Sequence, residues 1–149
     1  MTVAIQGFKG SFHALAARQL YGNDAELVFC KSFAEVFQAL KEQRVDKAVV
    51  AIENSLYGSI YAVYDLLHSH EFQIVAEVYE LVDLYLLGAP GSSLNQVTDV
   101  YSQAPALGES TAFLQKTLPS AELHEHADTA LAAQDVAAWA DPTKAAIAR

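Results

Sequence analysis

The chain has 149 residues, of which 52% are hydrophobic and 18% are charged, and its 18 acidic and 9 basic side chains give a net charge of −9. This balance is typical of a folded globular protein and argues against a disordered chain. No cluster of Lys and Arg is available to neutralise phosphates, and no apolar run approaches the roughly 20 residues of a membrane helix, so we expect neither nucleic acid nor membrane as a partner.

The number of cysteines and the first residues of the chain indicate the cellular compartment. The single cysteine, Cys30, excludes an internal disulfide framework and fits a reducing environment. The first residues are predicted as a strand, Thr2–Gln6, rather than as an export signal. We therefore expect a cytoplasmic protein.

Strands and helices alternate along the chain in the pattern predicted from hydrophobic periodicity and turn residues. The predicted strands are Thr2–Gln6, Glu26–Cys30, Lys47–Ile52, Phe72–Tyr79, Leu81–Leu87, Asp99–Tyr101, Glu122–His126 and Ala145–Ala148. The predicted helices start near Ser11, at the Ser32/Glu35 capping box, after Ser55, at Ala104 (running to Thr117) and near Asp128 (running to Trp139). This order predicts an α/β fold with mainly parallel sheets, divided near Glu77 into a first lobe, residues 1–76, and a second lobe, residues 77–149.

Three predicted strand-to-helix junctions, Gly7–Phe12, Glu53–Ser59 and Asp128–Ala130, are rich in small and polar residues. Ligands of parallel sheets bind beyond the carboxyl ends of the strands, where glycine allows close approach, hydroxyl groups donate, and helix-start N–H groups attract anions. Such loops suit a small carboxylate, and we expect Lys9 to attract it. The alternative is that Ser11 and Asp128 only cap helices, which is the commoner role for any one such loop.

The histidines leave two questions open. His68/His70 and His124/His126 have a spacing that some metal sites use, but they lack cysteine partners and a His-Glu-x-x-His helix, so we predict no metal site. His13 is in the first turn of its predicted helix, where it is expected either beside the ligand or at the surface.

Several motifs resemble those of the prephenate dehydratase family, in the family's order and across nearly the whole chain. The most specific is Ala51-Ile52-Glu53-Asn54-Ser55-x-x-Gly58-Ser59, which is similar to Pro-Ile-Glu-Asn-Ser-x-x-Gly-Ser. The others are Gly7-x-x-Gly10-Ser11-Phe12-His13, similar to Gly-Pro-x-Gly-Thr-Phe-Ser; Tyr101–Leu107, similar to a segment with Ser-His-Pro-Gln-Ala-Leu; and Asp128–Ala133 and Ala145–Ala148, similar to the family's later Thr-Ala-x-Ala-Ala and Ala-Ala-Ile-Ala.

The resemblance implies two Rossmann-like lobes of the type 2 periplasmic-binding-protein kind, with a cleft between them. It implies a carbon–oxygen lyase, usually a homodimer, that converts prephenate to phenylpyruvate, water and CO2 in L-phenylalanine biosynthesis without a metal or organic cofactor. The resemblance implies six substrate-binding residues: Ser11, Asn54, Ser55, Gly58, Ser102 and Thr129. From their loops we add Lys9 and Ser59.

The sequence departs from the family pattern in two places. The Thr-Arg-Phe segment that carries the family's proton donor does not occur, so we predict no catalytic residue. We expect the gene to continue past Arg149 into that segment, and this chain alone to form little phenylpyruvate. Gln103 stands where the family has a histidine. Prephenate and its aminated relative arogenate both fit the pattern, and the alternative function is a non-catalytic two-lobe domain that binds a small acid.

Overall fold

The computed structural model describes residues 1–55 and 58–149. By its contacts the chain divides into two compact units, Met1–Leu81 and Val82–Arg149, whereas the sequence predicts a boundary after residue 76. Within the described residues, no helix combines the length and the apolar character needed to cross a membrane.

The first unit is built on a parallel three-stranded sheet with the order β2-β1-β3. Its strands are β1 (Thr2–Gln6), β2 (Glu26–Cys30) and β3 (Lys47–Val49). The middle of the central strand is apolar because helices cover both faces. Val3 and Ile5 pack with helix residues such as Ala17, while Ala4 packs on the other face with Val36.

In the first unit, local signals correctly predict the start of two helices and the end of one. These helices are α1 (Phe12–Tyr21), α2 (Phe33–Lys41) and α3 (Tyr61–Ser69). The hydroxyl of Ser32 accepts a hydrogen bond from the Glu35 N–H at 3.2 Å, as a capping residue should. The Glu35 carboxylate reaches back to the N–H of Lys31, one residue earlier than in a regular capping box. Gly22 ends α1 with a φ of +82°, a conformation that favours glycine.

The structure differs from the predictions for four elements in the middle of the chain. The third strand ends at Val49 instead of Ile52, and α3 begins only at Tyr61. The predicted strand Phe72–Tyr79 is absent, since residues 71–84 have no regular secondary structure, and the strand predicted over Leu81–Leu87 is β6 (Tyr85–Gly88). Apolar alternation shows that a segment suits a sheet, but a strand forms only beside a hydrogen-bonding neighbour.

The second unit has a four-stranded sheet with the order β6-β9-β7-β8, in which only β6 is antiparallel to its neighbour. Its other elements are a short 3-10 helix (Leu94–Gln96), β7 (Asp99–Ser102), α4 (Ala104–Glu109), α5 (Thr111–Thr117), β8 (Glu122–Glu125), α6 (Thr129–Trp139) and β9 (Lys144–Ala148). Residues 145–148 are at most 2% exposed, because β9 lies inside the sheet. The single helix predicted over Ala104–Thr117 is interrupted at Ser110, which ends α4 and precedes α5.

Candidate functional site

Polar residues gather at the carboxyl ends of parallel strands in each unit. In the first unit β1 and β3 are neighbours and run in the same direction, so the loops that follow them start from the same edge of the sheet. In the second unit the same holds for β7, β8 and β9. This edge is where open α/β sheets bind their ligands.

The loop after β1 has the conformation that glycine makes possible. Gly7 and Gly10 have φ angles of +108° and +90°. The Gly7 N–H donates to the Cys30 carbonyl at 2.9 Å, which holds the loop against the end of β2. Ser11 is 5% exposed and its hydroxyl accepts from the Ala14 N–H at 3.3 Å, so it caps α1, while Lys9 is exposed.

His13 connects this loop to the segment after β3. Its Nε2 accepts a hydrogen bond from the Ala51 N–H at 3.3 Å, and its ring meets the edge of Phe33 with centroids 5.6 Å apart. An accepting Nε2 places the ring proton on Nδ1 in the neutral imidazole. The sequence left the position of His13 open; its place in the first helical turn, at the carboxyl edge of the sheet, was the available signal.

The most specific motif forms a β-hairpin rather than a helix start. In β4 (Glu53–Asn54) and β5 (Gly58–Ser59), Asn54 pairs with Gly58 and Glu53 with Ser59. The motif also includes Leu56 and Tyr57, which lie outside the described residues. Gly58 has a φ of +77°, which favours glycine at that position. Asn54 and Ser59 are half-buried, while Ser55 is exposed.

In the second unit, Ser102 is held inside the sheet. It is fully buried, and its hydroxyl donates to the Ile147 carbonyl at 2.6 Å across the neighbouring strands β7 and β9. Its own carbonyl accepts from the His126 N–H at 2.7 Å. Both interactions join strand ends, which gives Ser102 a role in the structure of the edge.

The start of α6 lies next to this edge. Asp128 is 6% exposed, and its carboxylate accepts from the N–H groups of Ala130 and Leu131 at 2.8 and 3.0 Å, so it caps the helix. Thr129 follows as the first residue of α6 and is half-buried. The Gln103 amide donates to the carbonyl of Ala127 at 2.7 Å and thereby ties the turn after β7 to the segment before α6.

The predicted residues therefore fall into two groups, one in each unit. In the first group, Asn54 and Gly58 face each other in the hairpin, and Ser11 lies in the loop after the neighbouring strand. In the second, Gln103 links the segments that carry Ser102 and Thr129. That all eight residues bind substrate stays a prediction. The structure adds His13 and Gln103 as residues that connect the loops, and sequence spacing did not indicate either hydrogen bond.

Two α/β units with polar loops at the carboxyl edges of their parallel strands, glycine-containing in the first unit, define a protein of the class that binds small molecules there. The chain belongs to the prephenate dehydratase family, whose model matches residues 3–149. It is 40% identical over 138 residues to arogenate dehydratase 5, chloroplastic, of Arabidopsis thaliana, an alignment that covers 93% of this chain and 32% of that protein.

Solved structures resemble the chain in fold over nearly its whole length. A prephenate dehydratase from Arthrobacter aurescens, in complex with L-Phe, has a TM-score of 0.89 at 25% identity and covers 99% of this chain and 50% of its own. A protein described as a novel type of quorum quenching acylase has a TM-score of 0.85 at 29% identity, covering 99% of this chain and 53% of its own. The predicted fold of the type 2 periplasmic-binding-protein kind is confirmed. The chain spans about a third of the length of the curated relatives and about half of these solved chains.

Proposed function

We propose that the chain acts in a prephenate dehydratase, a carbon–oxygen lyase that converts prephenate to phenylpyruvate, water and CO2 in L-phenylalanine biosynthesis. The observation that carries the proposal is the family match over residues 3–149, which includes the paired strands β4 and β5 with their polar motif. The substrate class is a diacid that bears a cyclohexadiene ring.

The reaction requires little chemical machinery from the protein. A proton added to the ring hydroxyl makes water the leaving group. The ring carboxylate then departs as CO2, and its electron pair completes the aromatic ring. The protein has to hold the two carboxylates in place, supply the proton and exclude bulk water. We assign the first of these tasks to this chain's loops, with the Asn54 amide and the hydroxyls of Ser55, Ser59 and Thr129 as hydrogen-bond donors.

Positive potential for the diacid has to be local, because the net charge of the chain is −9. Lys9 is exposed in the loop that leads into α1, and the N-terminus of a helix attracts anions through its backbone N–H groups. Both sources of attraction are in one loop of the first unit, and we therefore place a substrate carboxylate there.

Titration calorimetry with prephenate tests this placement. Lys9→Gln should weaken binding by about 1.4- to 5-fold, the effect of an exposed ion pair worth about 0.2–1 kcal/mol, and the loss should shrink as salt is added. Lys41→Gln is the matched control, since Lys41 is exposed in the last turn of α2 and should leave affinity unchanged. Equal affinities of wild type and Lys9→Gln at low salt would place the carboxylate elsewhere.

A second variant tests the hairpin. Asn54→Asp keeps the side-chain volume but replaces two N–H donors with a negative charge, so it should weaken prephenate binding more than Lys9→Gln does. Asn95→Asp, at an exposed position in the 3-10 helix, adds the same charge in the second unit and should have no effect. An unchanged affinity in Asn54→Asp would remove the hairpin from the site.

Turnover distinguishes the enzyme from a binding domain. Phenylpyruvate formation from prephenate, and phenylalanine formation from arogenate, should be measured side by side, because relatives with arogenate dehydratase names are among those that the chain resembles. A higher kcat/KM for prephenate supports the proposal, whereas a preference for arogenate corrects its substrate. Tight binding of prephenate without turnover in the full-length protein supports a non-catalytic acid-binding domain.

We also propose that the protein is a cytoplasmic homodimer. The single cysteine supports a reducing compartment. Exposed apolar side chains near the end of the first unit support association: Ile74, Tyr79 and Leu81 are 70%, 87% and 73% exposed. Light scattering should give twice the 16.1 kDa of one chain, and a single-chain mass would contradict the dimer. Cell fractionation tests the compartment.

A further inference from the structure

Three potential metal ligands share one face of the second-unit sheet. Asp99 at the start of β7 is the register partner of Glu122 at the start of β8, and His124 follows Glu122 by two residues. Alternate side chains of a strand point to the same face, so the pairing brings all three together. One ligand atom from each lies within 4.8 Å of the ligand atoms of the other two.

We propose that Asp99, Glu122 and His124 form a binding site for a divalent transition metal ion of the Zn²⁺ type. One imidazole nitrogen and two carboxylate oxygens are a donor set that zinc accepts, with the fourth tetrahedral position left for water. Bonds of about 2.0–2.1 Å place tetrahedral ligand atoms about 3.3 Å apart, so Asp99 and His124, whose ligand atoms lie 2.7 Å apart, must separate slightly and Glu122 must adjust to the ion. Glu122 is exposed, and it has the freedom for this movement.

The neighbours of the three residues hold two of them in place. The Oδ1 of Asp99 lies 2.7 Å from the Nε2 of His124, and its Oδ2 accepts from the Thr98 hydroxyl at 2.7 Å. The His124 ring stacks on Tyr101 with centroids 4.6 Å apart. A metal would replace the Asp99–His124 contact while Thr98 and Tyr101 keep their positions.

Nearby charges set limits on the affinity. Lys144 is the register partner of Asp99 on the other side, and its ammonium group opposes a cation. It lies 4.8 Å from the centroid of the Trp139 ring and 4.0 Å from the Asp141 carboxylate, which offset part of its charge. The local charge still favours a cation, because the carboxylates of Asp99, Glu122 and Asp141 outnumber the ammonium group of Lys144.

The proposed site is separate from the substrate loops. Asp99 and Glu122 begin their strands, whereas Ser102 and the segment before Thr129 lie at the opposite, carboxyl edge. The site also does not use the His124/His126 pair that the sequence spacing suggests, since the Nε2 of His126 lies 3.1 Å from a carboxylate oxygen of Asp135 on α6. Carboxylates that become neighbours through strand pairing, rather than a second histidine, complete the donor set.

Competition for Zn²⁺ against a chromogenic chelator tests the proposal with untagged, metal-free protein. Wild type should bind one ion per chain. His124→Gln and Glu122→Gln should each weaken binding about tenfold or more, while His126→Gln, the matched control, should retain wild-type affinity. Co²⁺ in place of Zn²⁺ should give an absorption spectrum that disappears in His124→Gln.

Each outcome decides the question. Glu122 is exposed and its replacement is nearly isosteric, so circular dichroism should show a folded Glu122→Gln variant even where His124→Gln is destabilised. Failure of the wild type to take up Zn²⁺, or equal uptake by wild type and Glu122→Gln, overturns the proposal. Loss of uptake in His126→Gln together with retention in His124→Gln would move the site to the Asp135 side.

Discussion

Replacing Ser102 with alanine separates a structural role from a ligand-binding one. The family resemblance assigns Ser102 to the substrate side, whereas the structure buries it completely and directs its hydroxyl to the Ile147 carbonyl. A side chain with no exposed surface reaches a ligand only if the sheet opens. We therefore expect Ser102→Ala to lower stability and to leave the affinity for prephenate unchanged.

The expected loss of stability follows from the hydrogen bond. A typical intramolecular hydrogen bond contributes about 0.5–1.5 kcal/mol, and this one is short, at 2.6 Å, and inaccessible to water. We expect the upper end of that range, about 1.5 kcal/mol, because water cannot replace the lost donor. For a unit of this size each 1 kcal/mol lowers the Tm by roughly 4–8 °C.

Urea denaturation followed by tryptophan fluorescence measures this change in the relevant unit. The only tryptophan, Trp139, ends α6 and meets the Tyr101 ring with centroids 4.9 Å apart, so its emission reports on the second unit. Ser120→Ala is the control, because Ser120 is exposed in the turn before β8 and its replacement should change the free energy of unfolding by less than about 0.5 kcal/mol.

The opposite pattern would refute the reasoning. A Ser102→Ala variant with wild-type stability and a reduced affinity for prephenate would show that the hydroxyl contacts the ligand. Its hydrogen bond to Ile147 would then contribute nothing measurable to the sheet. Loss of stability and affinity together would require the affinity to be measured again at a lower temperature, where both proteins are fully folded.

Three further predictions concern single residues in both units. Asp128→Ala removes the cap of α6 and should lower the free energy of unfolding by about 0.5–2 kcal/mol in the fluorescence assay, whereas Asp128→Ser should restore most of it. Gly58→Ala places a β-carbon at a φ of +77° and should cost about 1 kcal/mol in thermal unfolding, although the space around it is open; Gly58→Asn should cost less, since asparagine tolerates this conformation better. Hydrogen bonds from the backbone N–H and then the hydroxyl of Thr2 lower the pKa of the Asp46 carboxyl below its ordinary value of 3.8. The ionised carboxylate therefore stabilises the fold fully above the unfolded-state pKa, and this stabilisation is lost as the pH falls through the folded-state pKa. Wild type and Asp46→Asn should therefore differ in urea denaturation at pH 7 and converge below pH 3.8, and a constant difference would contradict this assignment.

Features encoded within a few residues could be predicted from the sequence. Ser32 and Asp128 cap the helices that their position predicts, and Gly22 ends α1, because the atoms that cap or end a helix belong to neighbouring residues. The apolar run in β1 likewise indicates a strand with both faces covered. The α/β class and the mainly parallel sheets follow from this local information.

Features that depend on distant partners could not be predicted. The segment 71–84 has the apolar alternation of a strand but remains irregular, while the polar Glu53–Ser59 motif forms a hairpin. Side-chain contacts at the two sheet edges show the same limit. Gln103 bonds a carbonyl 24 residues away and His124 contacts a carboxylate 25 residues away, and such pairs become visible only once strand register is known.

The caps of α1 and α6 differ in the charge that they place at the start of the helix. The positive end of a helix attracts one anion well, and at α6 that place is already taken by the Asp128 carboxylate. Ser11 caps α1 through a neutral hydroxyl, so the positive end of α1 remains available to a carboxylate, and Lys9 adds its charge in the same loop. We therefore expect a carboxylate to be attracted to the loop before α1 and not to the start of α6, where the Asp128 carboxylate would repel it.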